Sequence, residues 1–313
     1  MAYSPLVALP EDSGLVKGVP IFDMIDGNVF WVDSGYGGVV ERGSFNNPMI
    51  TIDGAINLCT AGNNDHIFVK AGHTETLSDA TSLNADIADV AIIGLGNGSN
   101  RPTITLDTAN TATIPVTAAN IMFKNMIFSA NFADIAALFS LTTAVSFALI
   151  GCKFTATATD MNFVDIVDTN TTNNAADDLV ISGCEWIDSD TGTGTLVDVD
   201  ADINGLTVLD NIIDLGVNGV LSAVAEVAAG KDTTNINVQR NAITRLVTAS
   251  AVQIITWADT TTTNTGLCAD NALRTLDTAG ELVMTAGSNV SFYNNKSSSA
   301  AGKGGYLLPA ADS

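Results

Sequence analysis

The stretch INVQRNAI, residues 236–243, decides the fold. Ile236 and Val238 alternate with Asn237 and Gln239, so one side of a short strand is apolar and the other polar. Arg240 and Asn241 interrupt the alternation, and Ile243 resumes it two residues past the asparagine. Eight residues thus encode a strand, a corner and the start of a second strand.

The phrase recurs on both sides, as IMFKNMI at 121–127, FALIGCKF at 147–154, LVISGCEW at 179–186, LTVLDNII at 206–213, GLCADNAL at 266–273 and VSFYNNKS at 290–297. Aligned on the corner residue, the column reads Asn125, Cys152, Cys184, Asn211, Asn241, Asn271 and Asn295, with spacings of 27, 32, 27, 30, 30 and 24 residues. Such spacing is too loose for a rigid short motif and narrow enough for one coil per repeat. Coils of about 30 residues carrying about three short strands each stack into a solenoid whose equivalent positions lie about 4.8 Å apart. The predicted fold class is all-β, a right-handed parallel β-helix. Stacked corner asparagines would hydrogen-bond along their column and satisfy backbone groups, each bond contributing about 1 kcal/mol net.

Beyond the repeats, ITIDGAINLCTA at 50–61 places Ile52, Ala55, Ile56 and Cys59 at helical spacing after the entry turn Asn47-Pro48. A short N-terminal capping helix there would cover the open end of the apolar column. Residues 1–27 carry Pro5, Pro10 and Pro20 with no apolar period and read as an extended docking arm. The β-helix is expected over 28–296, and 297–313 read as a Gly/Ser linker with a small apolar tail.

Charge narrows the partners. With 34 acidic against 12 basic residues the net charge is −22, which repels nucleic acid and anionic membrane surfaces. MAYSPLVALPEDS lacks the basic start and apolar run of a secretory signal. The most apolar stretch, 135–151, is broken by Ser140, Thr142, Thr143 and Ser146, so no membrane insertion is expected. The chain is 46% hydrophobic, more than one narrow core would bury, which points to an oligomer sheltering the excess on its flank.

Candidate chemistry is sparse, and no catalytic, cofactor or metal site is expected. Asp198, Asp200 and Asp202 alternate with Val199 and Ala201, which on a strand would set them about 6.7 Å apart on one face. That spacing lies in the carboxyl range of an inverting glycosidase, and it is equally the pattern of a solvated acidic strand. The loop with Asp188, Asp190 and Gly192 lacks the further ligands of a calcium loop. Arg240 is the candidate lyase base; with Asp210 one coil below and Asp270 one coil above, it reads as a self-neutralising column. Trp186 falls on the inward register rather than on a sugar-binding face.

GLGNGSN at 94–100 lacks the lysine and the following helix of a phosphate loop, so Gly94, Gly96 and Gly98 read as corner residues. His66 and His73 read as structural. Cys59, Cys152, Cys184 and Cys268 have no metal-ligand spacing; Cys152 and Cys184, in adjacent coils, are either a pair near enough to cross-link or two small buried thiols.

GNVFWVDSGYG at 27–37, ITIDGAINLCTA at 50–61, HIFVKAGHTETL at 66–77 and IIGLGNGSNRPTITL at 92–106, followed in order by the repeats, resemble the β-helix proteins encoded by tailed bacteriophages. Members are pectate-lyase-like in architecture and serve as fibres, spikes and head-surface proteins, often as trimers. The resemblance implies a homotrimer located in the virion after assembly in the host cytoplasm, with partners such as the major capsid protein. The expected function is a non-enzymatic head-surface decoration or short fibre protein. The alternatives are a tailspike-like polysaccharide depolymerase, since some spikes are enzymes, and an adhesin that binds host surface glycan without cleaving it.

Overall fold

The computed structural model describes residues 15–16, 19–20, 27–158, 160–188, 194–215, 221–226, 231–245, 252–256, 264–275, 289–298 and 305–306. Strands that are apolar at every second position can bury one face only by wrapping around a shared interior, and successive coils do so here. The chain forms a parallel β-solenoid with three sheet faces. The first sheet has ten strands, from Val29–Val32 to Asn289–Tyr293. The second also has ten, beginning at Thr74–Leu77, and the third has six, from Ile114–Val116 to Val252–Thr256. Neighbouring coils pair in parallel register throughout, until Gly305–Tyr306 adds antiparallel to Lys296–Ser298 at the end of the second sheet.

The inward columns follow from this register. The first sheet stacks Ile67, Ile92, Phe123, Leu149, Ile181, Val208, Val238 and Cys268; the second stacks Ile104, Phe128, Phe154, Trp186, Ile213, Ile243 and Leu273. All are buried. In the coil spanning 121–141 the three faces each send one phenylalanine to the axis. Phe123 lies 5.2 Å and Phe128 lies 5.1 Å from Phe139, and Phe147 closes on the same ring at 5.2 Å. Edge-on and tilted contacts of this kind add roughly 0.5–1.5 kcal/mol per pair to the burial itself.

Two adjacent columns make the corner between the first and second sheets. The outer one, Asn125, Gly151, Gly183, Asp210, Arg240, Asp270 and Asn294, has positive φ throughout, from 52° to 63°. Gly, Asn and Asp tolerate that conformation, whereas Arg240 holds it at a cost of about 1–2 kcal/mol. The inner column is Met126, Cys152, Cys184, Asn211, Asn241, Asn271 and Asn295, all buried. Asn125 therefore stands one position earlier than the column proposed for it. Phe123 pairs with Leu149 and Ile127 with Lys153, so the counterpart of Cys152 is Met126. As a left-handed residue, Asn125 donates its side-chain amide to the carbonyls of Gly94 (2.8 Å) and Gly96 (3.1 Å) in the preceding coil. Gly94 must be glycine, because a Cβ there would lie 2.5 Å from the Asn125 carbonyl oxygen. The Gly-rich segment is thus a close approach of two backbones.

The N-terminal end is covered twice. A helix over Ile52–Ile56 is capped by Thr51, whose hydroxyl accepts from the Gly54 N–H, and it turns Ile52, Ala55 and Ile56 into the core. It is shorter than the expected 50–61, stopping at Asn57 because Thr60 N–H is drawn to the buried Asp65 carboxylate at 2.7 Å. Residues 43–49 also lie along the edge strand Val29–Val32, through Trp31 N–H to Gly43 O, Met49 N–H to Trp31 O and Asp33 N–H to Met49 O. This strap closes the sheet edge that an end coil would otherwise expose. The stretch 135–151 resolves into strands Ile135–Leu141 and Ala148–Ile150 of different sheets, and no described helix is long and apolar enough to cross a membrane. Most of the expected N-terminal arm and C-terminal tail lies outside the described residues; within the arm, Leu15–Val16 pairs antiparallel with Val19–Pro20.

Candidate functional site

The corner carries the longest polar network. Asn241 Nδ2 donates to Val208 O in the coil before it and to Asn271 Oδ1 in the coil after it, both at 2.9 Å. Its Oδ1 accepts the backbone N–H and the amide of Asn211, each at 3.0 Å. Asn211 and Asn271 repeat the pattern, Asn295 ends it by donating to Cys268 O, and the Asn211 Oδ1 accepts Cys184 N–H. Each buried amide thus satisfies a carbonyl and an N–H of the preceding coil, and from Asn211 to Asn271 each also bonds the amide oxygen of the next.

In the coils before Asn211 the cysteines take over. Cys184 Sγ donates to Leu149 O and Cys152 Sγ to Phe123 O, both at 3.5 Å. Both thiols are free, as are Cys59 and Cys268. Contact with Cys152 and burial push Cys184 up, and burial pushes Cys268 to about 12, so these are protonated core groups. Cys59 is likewise pushed to about 12, by burial first and then by the Asp65 charge.

Arg240 clamps Asp210 with two bonds, Nε to Oδ1 at 2.7 Å and Nη2 to Oδ2 at 2.8 Å. Asp270 in the next coil adds its charge and bonds Asn294. Both members of the clamp are about half exposed, so solvent screens the pair and it adds little to stability.

The carboxylates regroup. Strand Gly194–Val199 ends before Asp200; Val199, Ala201 and Ile203 remain buried, alternating with the three aspartates, and Asp202 bonds the next coil, accepting Asp232 N–H at 3.0 Å. Asp198 and Asp200 instead join Asp165 and Asp168 of the preceding coil, because Asp168 pairs directly with Asp198 on the third sheet. Burial first, then the negative charges of Asp198 and Asp168, pushes the Asp165 carboxyl up to about 8. Burial, Asp200 and Asp168 push Asp198 to about 7, and one of its oxygens, Oδ1, is buried without a hydrogen-bond partner. Burial also raises Asp168, against a bond from Asn170 N–H. Repulsion is thus relieved by protons, and half-protonated carboxyls at neutral pH have the protonation chemistry of general acids.

Arg240 lies at the corner between the first and second sheets, whereas this acidic group lies on the third. Trp186 is buried on the inward register. Asp190 and Gly192 lie outside the described residues. Among the described residues no group of three or more metal-ligating side chains could hold an ion. His66 bonds Asn64 O at 2.8 Å on the surface. His73, by contrast, is buried and joins three segments: its Nδ1 accepts Ser34 N–H at 2.9 Å, and its Nε2 lies 3.3 Å from Glu75 Oε2, which also accepts Ile52 N–H at 3.0 Å.

No protein-family model and no curated protein matches the chain. Among solved structures it is similar to a rhamnogalacturonan lyase, with TM-score 0.46, 11% identity, and coverage of 85% of this chain and 73% of that one. It is also similar to pectate lyase Pel9A, with TM-score 0.33, 13% identity, and coverage of 88% and 77%.

Proposed function

We propose that the chain is the rigid body of a tailed-bacteriophage virion protein, a non-enzymatic head-surface decoration or short fibre that assembles as a homotrimer on other virion proteins such as the major capsid protein. The observation that carries this reading is the corner network, in which buried amides tie each coil to the next from Cys184 to Asn295. It suits a load-bearing rod. The separation of Arg240 from the carboxylates agrees, since a lyase needs its base beside its acidic group. The test is addition of purified protein to particles made without it. Saturable binding in multiples of three copies, lost when residues 1–27 are deleted while far-ultraviolet dichroism is unchanged, is the expected result. Particles that never take up the protein would sink the proposal.

The acidic group on the third sheet favours a second reading, a polysaccharide depolymerase using the Asp165, Asp168, Asp198 and Asp200 carboxyls. Release of reducing sugars or unsaturated oligosaccharides from host polysaccharide, abolished by Asp198→Asn, would establish it in place of the first.

A further inference from the structure

We propose that His73 is an acid-sensitive latch that holds residues 33–50, the segment that carries the strap, on the N-terminal end of the solenoid. Its imidazole ring is fully buried, and the Glu75 side chain is only 9% exposed. Because a backbone N–H can only donate, the 2.9 Å bond from Ser34 requires Nδ1 to be unprotonated. The ring proton then sits on Nε2 and is donated to Glu75 Oε2. Ser34 Oγ in turn accepts Thr74 N–H at 3.0 Å, so the strap is pinned to this strand at two points.

A second proton on the ring must go to Nδ1, where it faces the Ser34 N–H. Two donors cannot share that site, and burial leaves no water to separate them. The charge gained does have a partner in Glu75, but Glu75 lies on the same strand as His73, Thr74–Leu77. Protonation therefore strengthens a bond within the body and removes one to the strap. Other charged groups on the elements that meet at this joint are the Lys70–Asp33 ion pair (3.3 Å), Glu41, which accepts Ile50 N–H, Asp53 on the helix, which accepts Asn84 N–H, and Arg101 ahead of the next strand, which donates to Gly151 O. Each of these groups is engaged in the bond named, and the Nδ1 bond in the structure is the one from Ser34.

Closure excludes the proton and opening admits it, so closure is fully stable above the pH at which a solvated imidazole titrates and is lost as pH falls through it.

Hydrogen exchange of the full chain, corrected for intrinsic rate, tests this. Amides within 33–50 should exchange several-fold faster at pH 5.0 than at 7.5, while those within 206–213 and 236–243 keep their protection. His66→Gln should retain the response and His73→Gln should lose it, whatever its starting protection. A flat response at 33–50, or an equal rise in both regions, would overturn the latch. If His73→Gln does not fold, nitrogen-15 spectra of histidine-labelled wild type decide. The opening midpoint must coincide with protonation of His73 Nδ1; coincidence with His66 alone refutes the proposal.

Discussion

Replacing Asp165 with Asn removes the most perturbed charge on the third sheet, and its effect depends on pH in a direction the structure specifies. The carboxyl is raised from 3.8 to about 8, so folding disfavours its ionised form. A raised acid contributes no penalty while both states are protonated and destabilises progressively as pH climbs from its unfolded value towards the folded one. For an isolated group with these two values, the stability lost between pH 5 and pH 8 is about 3–4 kcal/mol. Asp198 shares the same repulsion and protonates in concert, so about 2 kcal/mol is assigned to Asp165 itself. Urea midpoints measured from pH 5 to pH 8 should therefore fall in both proteins, because Asp198 and Asp168 remain raised by burial, but fall by about 2 kcal/mol less in Asp165→Asn, the two curves converging as pH drops towards about 4. Parallel slopes would refute the reasoning, since the repulsion among Asp165, Asp168 and Asp198 would then be relieved by something other than protons.

Other substitutions probe the rod. Asn241→Leu should cost about 2–4 kcal/mol by urea midpoint, because it strands Val208 O and Asn211 N–H inside the corner, whereas Gln239→Ala should change stability by less than about 0.5 kcal/mol. Phe139→Ala opens a void where four rings meet and should cost about 3–5 kcal/mol on the same measurement. Arg240→Gly gives up a solvent-screened ion pair and relieves left-handed strain, so no loss of stability is expected in thermal or urea unfolding; a clear fall in the midpoint would show that the clamp matters more than the strain.

The first and second sheets were legible because their strands flank a corner that repeats as a phrase, with Phe147, Leu149 and Phe154 setting a register that later copies keep. Asn125 was misplaced by its identity: the eye aligns asparagines, but Ile121 and Phe123, counted at the offsets used elsewhere, put Met126 in the buried position. The third sheet left a fainter mark. Ile166 and Val167 are consecutive and both buried, so a bend interrupts the period of two and conceals that Asp165 and Asp168 belong with Asp198. Asp202, in phase by counting, is engaged elsewhere because it lies past the strand end at Val199 and accepts a backbone N–H of the next coil. The His73 joint was invisible for another reason: its partners Ser34 and Ile52 come from segments whose only shared property is their place at the end of the solenoid.

The corner asparagines also make length a free variable. Each amide points the same way, donating back one coil and forward to the next, so any coil that enters and leaves through the same two positions is interchangeable with its neighbour. Removing 242–271 would join Asn241 to Ala272, the register partner of Ala242, and offer Asn241 the oxygen of Asn295 in place of that of Asn271. The shortened rod would lose about 4.8 Å and no type of contact. Gain or loss of a few residues at this corner would instead cut the file of amides in two. Relatives of this chain should therefore differ by whole coils here, and by odd residues only in the connections to the third sheet.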